Sequence, residues 1–136
     1  MPALSAHTAR ERFAAAQVVR LATADAEGRP HLVPTVFALD DDRLYIVVDH
    51  KPKRTRQLRR LRNIAANPQV SLLADHYDDD WSRLWWARAD GVAAVGPVED
   101  GPLDLLAARY PAYRQNRPEG PLITVTVDRW TGWTYT

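Results

Sequence analysis

Short runs of alternating apolar and polar residues dominate the chain and predict a protein built mainly of β-strands. Each run is rich in β-branched residues, and turn-forming residues such as Gly28 separate one run from the next. The links among the first three runs are too short for crossover helices, so we expect an antiparallel meander. The six predicted strands cover residues 17–24, 31–39, 43–48, 69–75, 84–95 and 122–128, the last continuing through the alternating aromatics of residues 129–136.

Helical patterns lie between and outside these strands. Residues 8–16 predict a short N-terminal helix with Thr8 as its N-cap. Residues 99–109 predict a second helix through an apolar stripe that begins after Pro102, and the irregular segment 110–121 has room for a short helical turn.

The helix predicted at residues 54–66 is rich in arginine. Its apolar stripe is expected to consist of Leu58, Leu61 and Ala65, which recur at spacings of three and four. The residues expected to face outward are Arg56, Arg59, Arg60 and Asn63. Asn67-Pro68 is a stop signal that ends this helix.

Six strands with two or three helices and mostly short turns are typical of a closed antiparallel barrel with helices at its ends. We therefore expect one domain, residues 1–136, whose interior is filled and whose ligands bind at a rim or between subunits. Pro34 falls inside a predicted strand, which indicates an edge, a bulge or a place where a ligand meets the backbone. Gly91 indicates a bend or bulge in the fifth strand.

The tryptophans bear on both packing and ligand binding. Trp85 and Trp86 point to opposite faces of one strand, so one is expected in the core and the other against a partner chain or a flat ligand. Together with Trp130 and Trp133 they exceed what so small a core normally absorbs, which favours a homodimer. Trp81, in the loop before that strand, is the better candidate for an aromatic wall against a planar ring.

Composition excludes several classes of chemistry. The chain has no cysteine, hence no disulfide, thiolate metal site or cysteine nucleophile. Its six glycines form neither a dinucleotide-binding nor a phosphate-binding loop motif, and no serine lies in a nucleophile elbow. The polar N-terminus and the lack of a long apolar run predict a cytoplasmic protein with no membrane partner.

Positive charge is concentrated in one segment, residues 50–68, although the formal net charge of the chain is only +1. The segment holds seven of the eighteen lysines and arginines: Lys51, Lys53, Arg54, Arg56, Arg59, Arg60 and Arg62. The first three, with the Thr55 hydroxyl, crowd a helix N-terminus, where free N–H groups and the helix dipole favour a phosphate. A solvated surface helix, an anionic cofactor site and a nucleic-acid site all fit this pattern. The absence of interleaved aromatics and the near-neutral net charge argue against nucleic acid.

The histidines give no strong metal signal. His76 lies beside Asp78, Asp79 and Asp80, and His50 borders the basic segment, but the spacing matches no tight ligand pattern. We therefore expect no metal, and we name no catalytic acid or base. His31, which opens the second strand, is interpreted as structural.

The order of these elements resembles the pyridoxamine 5'-phosphate oxidase-like flavoproteins, and within them the small actinobacterial branch that looks like users of the deazaflavin coenzyme F420. The motifs that carry the resemblance are GRPHLVPTVF at 28–37, KPKRTRQL at 51–58, NPQVSLLAD at 67–75 and WSRLWWARADG at 81–91. The resemblance implies a mainly β fold, a six-stranded antiparallel split β-barrel like that of FMN-binding proteins, with peripheral helices. It also implies a homodimer with two cofactor sites at the subunit interface, each holding a flavin or deazaflavin ring over the barrel wall.

The resemblance further assigns cofactor-binding residues. The phosphate side would meet Lys51, Lys53, Arg54, Thr55 and Gln57, and the ring would lie against Pro34, Thr35 and Val36. Trp81 would flank the pocket, and Arg88 would reach toward it from the other subunit. The substrate pocket would be formed by the loops at 75–83 and 110–120.

The expected activity is hydride transfer from reduced F420 to an electron-poor small molecule. The arginines on the outer face of the basic helix exceed what the one phosphate of FMN requires, whereas the F420 tail carries a phosphodiester and several carboxylates. Surface solubility explains these arginines equally well. The alternatives are an FMN-binding oxidase or reductase of the same fold and a non-catalytic flavin or deazaflavin carrier. The substrate-binding C-terminal motif of the pyridoxamine 5'-phosphate oxidases is not found, so we do not expect oxidation of pyridoxamine phosphate.

Overall fold

The structure is a computed structural model that describes residues 2–48 and 54–136, with the side chains of residues 54–58 left undescribed. These residues contain four α-helices, a 3-10 turn and seven strands. The helices are α1 (Ala6–Ala14), α2 (Arg54–Ala66), α3 (Asp100–Arg109) and α4 (Pro111–Gln115), with the 3-10 turn at Trp81–Arg83. The strands are β1 (Val19–Ala24), β2 (Pro30–Thr35), β3 (Ala38–Asp40), β4 (Arg43–Val47), β5 (Gln69–His76), β6 (Trp85–Gly96) and β7 (Leu122–Thr134).

All seven strands belong to one antiparallel sheet in the order β2-β1-β5-β6-β7-β4-β3. The outermost strands, β2 and β3, are separated in the chain only by Val36 and Phe37. Three Cα–Cα steps span at most about 11 Å, so the two edges of the sheet must lie close together. The sheet therefore curls into a barrel that stays split between β2 and β3, which confirms the predicted mainly β split barrel with one strand more than expected.

Residues 31–39 were predicted to form one continuous strand, and this prediction is wrong. They contribute to two strands, β2 and β3, which accounts for the extra strand. The chain instead leaves the ladder at Phe37, whose backbone N–H donates to the Tyr110 hydroxyl at 3.3 Å. The Phe37 carbonyl accepts hydrogen bonds from Arg109 Nη1 at 3.0 Å and from the Tyr110 hydroxyl at 3.1 Å. Side chains from the end of α3 thus take the backbone groups that a ladder would use. The predicted meander consequently breaks after its second strand, and β3 pairs with β4 on the far edge.

The barrel interior is filled by alternate residues of the strands and closed by α1. Phe13 of α1 is fully buried and meets the rings of Phe37 and Trp130 edge to face, with centroids 5.0 and 5.2 Å apart. Trp85 also packs against this core, so the core absorbs Trp85 and Trp130, two of the four tryptophans that were expected to exceed it.

A second apolar cluster joins α3 to the other face of the sheet at β3 and β4. Leu103 and Leu106 of α3 pack with Ala38, Tyr45 and Val47 in this cluster. The predicted helix at 99–109 and the predicted helical turn after it are both confirmed as α3 and α4.

Two local predictions concern strand irregularities, and the structure agrees with both. Pro34 lies on β2, an edge strand, where a missing N–H costs no ladder bond. The register of β6 against β7 shifts between Asp90 and Gly91, which is the predicted bulge. A Cβ at Gly91 would overlap the Thr126 carbonyl oxygen, so this bulge needs glycine.

The N-terminal helix begins earlier than predicted. Ser5, not Thr8, is the N-cap, because the Ser5 Oγ accepts a hydrogen bond from the Thr8 N–H at 3.1 Å. Within the described residues, no helix is both long and apolar enough to cross a membrane.

Candidate functional site

One row of side chains crosses the outer face of the sheet from the edge strand β2 to β7. The strand register places Pro34 opposite Arg20, Arg20 opposite Leu73, Leu73 opposite Arg88, and Arg88 opposite Thr131. Their neighbours Leu21, Leu72 and Ala87 point into the core, which leaves the members of the row on the outside. Two predicted site residues, Pro34 and Arg88, therefore share one row, and Arg20 lies directly beside Pro34.

Arg88 is held along this outer face by its neighbours on β6. Its Nε lies 3.1 Å from Asp90 Oδ2, and its guanidinium carbon lies 5.4 Å from the centroid of the Trp86 ring. The other oxygen of Asp90 accepts a hydrogen bond from the Ser71 hydroxyl on β5. This arrangement fixes the Arg88 cation over an aromatic ring on the outside of the barrel.

The three ring-lining residues predicted on the second strand occupy different surroundings. The Pro34 side chain is exposed on the outer face. Thr35 alternates to the inner side and is half-buried, with its hydroxyl donating to the Val36 carbonyl at 3.1 Å. Val36 is half-buried in the crossing between the two sheet edges. A flat ligand on the outer face would therefore meet Pro34 first.

Trp81 is the most accessible of the five tryptophans, with 57% of its surface exposed. Two aspartates order the loop that carries it. The Asp80 N–H donates a hydrogen bond to Asp78 Oδ1 at 2.8 Å. Asp80 Oδ1 accepts hydrogen bonds from the Ser82 N–H at 3.1 Å and from the Ser82 hydroxyl at 2.7 Å. The bonds from Ser82 lower the pKa of Asp80 below its ordinary value. Trp81 is thus an exposed aromatic on an ordered turn.

The first turns of α2 carry the predicted phosphate ligands. Lys51 and Lys53 lie outside the described residues, and Arg54, Thr55 and Gln57 lie in the helix without described side chains. The structure therefore leaves the phosphate assignment of these five residues as a prediction.

Later in α2 the buried face differs from the predicted one. Ala65 is exposed, and Asn63, expected to face outward, is 4% exposed. The reason is a hydrogen bond of 3.1 Å from the Asn63 amide to the Thr23 hydroxyl of β1, together with burial of Ile64 in the barrel core. This contact lays α2 against the end of the barrel beside β1.

His31 occupies the strand next to this contact. It pairs across the β1–β2 ladder with Thr23, and its Nδ1 is buried without a hydrogen-bond partner among the described residues. Burial lowers the pKa of His31, and the positive charges of Arg59 and Arg60 lower it further. Arg59 and Arg60 of α2 are therefore close enough to β2 for their charges to act on His31.

Sequence reasoning did not predict that charges of α2 act on His31, which was interpreted as structural. It also missed Arg20 and the Ser71–Asp90–Arg88 chain of contacts. Only the strand register brings these residues together, and no short-range pattern in the sequence encodes that register. The described residues thus include an exposed proline and an exposed tryptophan, together with arginines on both the sheet and the helix.

Comparison with known proteins places the chain in a family. The sequence profile described as pyridoxamine 5'-phosphate oxidase matches residues 5–134, and the chain belongs to this family. A search of curated protein sequences finds no match.

Solved structures share the fold at low sequence identity. An FAD-binding protein from Mesorhizobium loti is 21% identical with a TM-score of 0.70, over 96% of this chain and 95% of that one. The FAD-binding protein from Mycobacterium smegmatis is 16% identical with a TM-score of 0.65, over 99% and 100%. A heme storage protein from Vibrio cholerae is 19% identical with a TM-score of 0.64, over 94% and 89%. At these identities the similarity concerns the fold.

Proposed function

We propose that this protein is an oxidoreductase that binds coenzyme F420 and transfers a hydride from the reduced cofactor to an electron-poor small molecule. FMN is the alternative cofactor on the same surface. The observation that carries the proposal is that the edge strand β2, which exposes Pro34, lies near the arginines of α2, because the charges of Arg59 and Arg60 act on His31 of the same strand. A planar ring joined to a long anionic tail needs an apolar surface with cations within reach of it.

The choice of F420 over FMN rests on the number of cations. The three basic residues expected at the helix start, Lys51, Lys53 and Arg54, suffice for one phosphate, yet Arg59 and Arg62 are also exposed farther along α2. The charges of Arg59 and Arg60 act on His31, so positive charge continues along α2 beyond the helix start. An oligocarboxylate tail such as that of F420 would neutralise them, whereas the single phosphate of FMN would not.

Each residue of the site has a specific part in the proposal. Pro34 offers a carbonyl and a flat apolar surface at the sheet edge, and Trp81 offers an aromatic wall that excludes water from the reacting face. Arg20 and Arg88 supply positive charge near the ring. A reduced deazaflavin or flavin supplies the hydride when bound, and the protein contributes orientation and charge complementarity.

A homodimer is part of the proposal, because the outer face of the sheet exposes apolar side chains. Leu32, Leu73 and Val92 point outward from β2, β5 and β6 and are 66, 37 and 41% exposed. A second copy of the chain covering this face would bury them and would bring a second Arg88 to the cofactor. The names of the FAD-binding relatives support a flavin-like ligand on this fold.

Equilibrium titration of the purified protein with F420, FMN and haemin tests the proposal directly. We expect F420 to bind at micromolar or lower concentration, FMN to bind at least tenfold more weakly, and haemin to give no saturable Soret shift. Arg54→Ala is expected to weaken F420 binding about tenfold or more, since one charge-assisted phosphate contact contributes about 1.5–3 kcal/mol. Arg43→Ala, which removes an exposed charge from β4, is the matched control and should leave the affinity unchanged.

A screen of nitroaromatic and quinone acceptors with reduced F420 then tests turnover. Tight binding without any turnover would identify a deazaflavin carrier instead of an enzyme. Preference for FMN would assign the alternative cofactor, and failure to bind either cofactor would contradict the proposal.

A further inference from the structure

The proposed function does not use a histidine that lies near the contact between β1 and α2. His31 is half-buried on β2, and its Nδ1 is enclosed without a hydrogen-bond partner among the described residues. It lies across the ladder from Thr23, whose hydroxyl holds Asn63 of α2. Arg59 and Arg60 precede Asn63 by four and three positions, so they lie on the same side of the helix, and their charges act on His31.

We propose that His31, Arg59 and Arg60 form a proton-coupled subsite for anionic oxygen atoms, carboxylate or phosphate, in the part of the cofactor tail beyond its first phosphate. This inference rests on the proposed function and adds to it a second anion position and a proton that binds with the tail. Arg59 lies five residues beyond Arg54, which is about 7.5 Å along the helix axis. The subsite is therefore separate from the helix start.

The coupling follows from the charges that face His31. Without a ligand, partial burial and the charges of the two arginines hold the pKa of His31 below its ordinary value, which favours the neutral ring. An anion placed between the arginines and the ring would cancel their repulsion and favour the imidazolium. The pKa of His31 would rise in the complex, and binding near neutral pH would take up a proton.

Other charged groups around His31 do not supply this effect in the described residues. From β1 the facing side chain is the neutral Thr23. On the β1–β2 turn, the carboxylate of Asp25 is already bound by Arg29, whose Nε lies 2.8 Å from Asp25 Oδ2. The two arginines of α2 are the charges that act on His31.

The sign of the pH dependence is fixed by this arrangement. Between the pKa of His31 in the free protein and its higher value in the complex, affinity for the tail rises as pH falls. One coupled proton gives up to a tenfold change in affinity per pH unit. Outside that window the affinity should be independent of His31.

Calorimetric titration in two buffers of different ionisation enthalpy counts the protons taken up. The probes are F420, FMN, and two anions without a ring, tri-γ-glutamate and pyrophosphate, which separate a carboxylate source from a phosphate source. We expect F420 and at least one ring-free anion to bind with uptake of up to one proton near pH 7. His31→Gln should abolish the uptake, while His7→Gln, at an exposed position of α1, should leave it unchanged.

NMR titration of the histidine Cε1–H resonances gives an independent reading. The His31 pKa is expected below 6.5 in the free protein and to rise when the anion saturates the site. Anion binding without proton uptake, equal uptake in His31→Gln, or no binding of either ring-free anion would each overturn the inference. If a ring-free anion binds with proton uptake but F420 and FMN do not bind, the subsite stands and the proposed function fails.

Discussion

The Asn63 amide donates a hydrogen bond of 3.1 Å to the Thr23 hydroxyl, and the two residues are only 4 and 3% exposed. The bond decides which side of α2 meets the barrel. It also sets the positions of Arg59 and Arg60, whose charges act on His31, because these residues share that side of the helix. A polar contact in the core thus positions the charges of the proposed site.

Truncation of either partner should be costly, because a buried polar group without its partner cannot recover a hydrogen bond from water. We expect Asn63→Ala to lower the free energy of unfolding by about 1–3 kcal/mol, measured by urea denaturation. Combined with Thr23→Val in a double-mutant cycle, it should show a coupling energy of about 1 kcal/mol. Asn116→Ala, at an exposed position, is the control. Strictly additive effects of the two substitutions would show that the bond does not stabilise the fold.

Arg109 and Tyr110 stabilise the crossing between β2 and β3, since both donate hydrogen bonds to the Phe37 carbonyl. Arg109 Nη2 also donates to the Ala16 carbonyl at 2.7 Å, and the Tyr110 hydroxyl donates to the Gln17 carbonyl at 3.0 Å. Arg109→Met should lower the free energy of unfolding by about 2–4 kcal/mol and Tyr110→Phe by about 1 kcal/mol. Tyr135→Phe, on an exposed tyrosine, should have no measurable effect on thermal unfolding. An equally small effect of Arg109→Met would mean that the hydrogen bonds of Arg109 do not stabilise the crossing at Phe37.

The same contacts explain why part of the fold could not be predicted from the sequence. Periodicity identified most strands and helices because it reflects burial, which alternates residue by residue. It could not detect the break at Phe37, because the partners of that backbone lie more than seventy positions away in the chain. Helix α2 shows the same limitation: a local apolar stripe favoured burial of Ala65, whereas a contact with β1 selects Asn63.

Gly91 is required by close packing at the bulge. The Cβ of an alanine there would overlap the Thr126 carbonyl oxygen of β7, and backbone in the centre of a sheet cannot move away at low cost. Gly91→Ala should therefore destabilise the protein by about 2 kcal/mol or more in urea denaturation. Gly96→Ala on the same strand has open space around the added methyl and should change stability by less than about 0.5 kcal/mol. Equal stability of the two variants would contradict the description of the bulge.

The proposed dimer predicts that charge on the outer sheet face will separate the subunits. Leu73 on β5 and Leu105 on α3 are both 37% exposed, so they form a matched pair. Leu73→Glu should shift the protein toward monomer in sedimentation equilibrium, because a carboxylate buried in an interface pays a large desolvation penalty. Leu105→Glu should leave the dimer intact. A wild-type protein that is monomeric at all concentrations would contradict the proposed dimer.

The candidate site was predictable only in its separate parts. Exposed Trp81, the proline on an edge strand and the run of basic residues each have a local sequence signal. The row from Pro34 through Arg20 and Leu73 to Arg88 has none, since it depends on pairing among four strands. The arginine neighbours of His31 could not be predicted for the same reason, because they belong to a different element.

Hydrogen exchange measured by mass spectrometry, with and without saturating F420, tests the central claim most directly. If the cofactor binds at β2 and α2, amides of residues 30–36 and 54–62 should exchange more slowly in the complex, while those of residues 100–117 should be unchanged. Protection confined to α3 and α4, or saturable binding that leaves β2 and α2 unprotected, would contradict the proposed site.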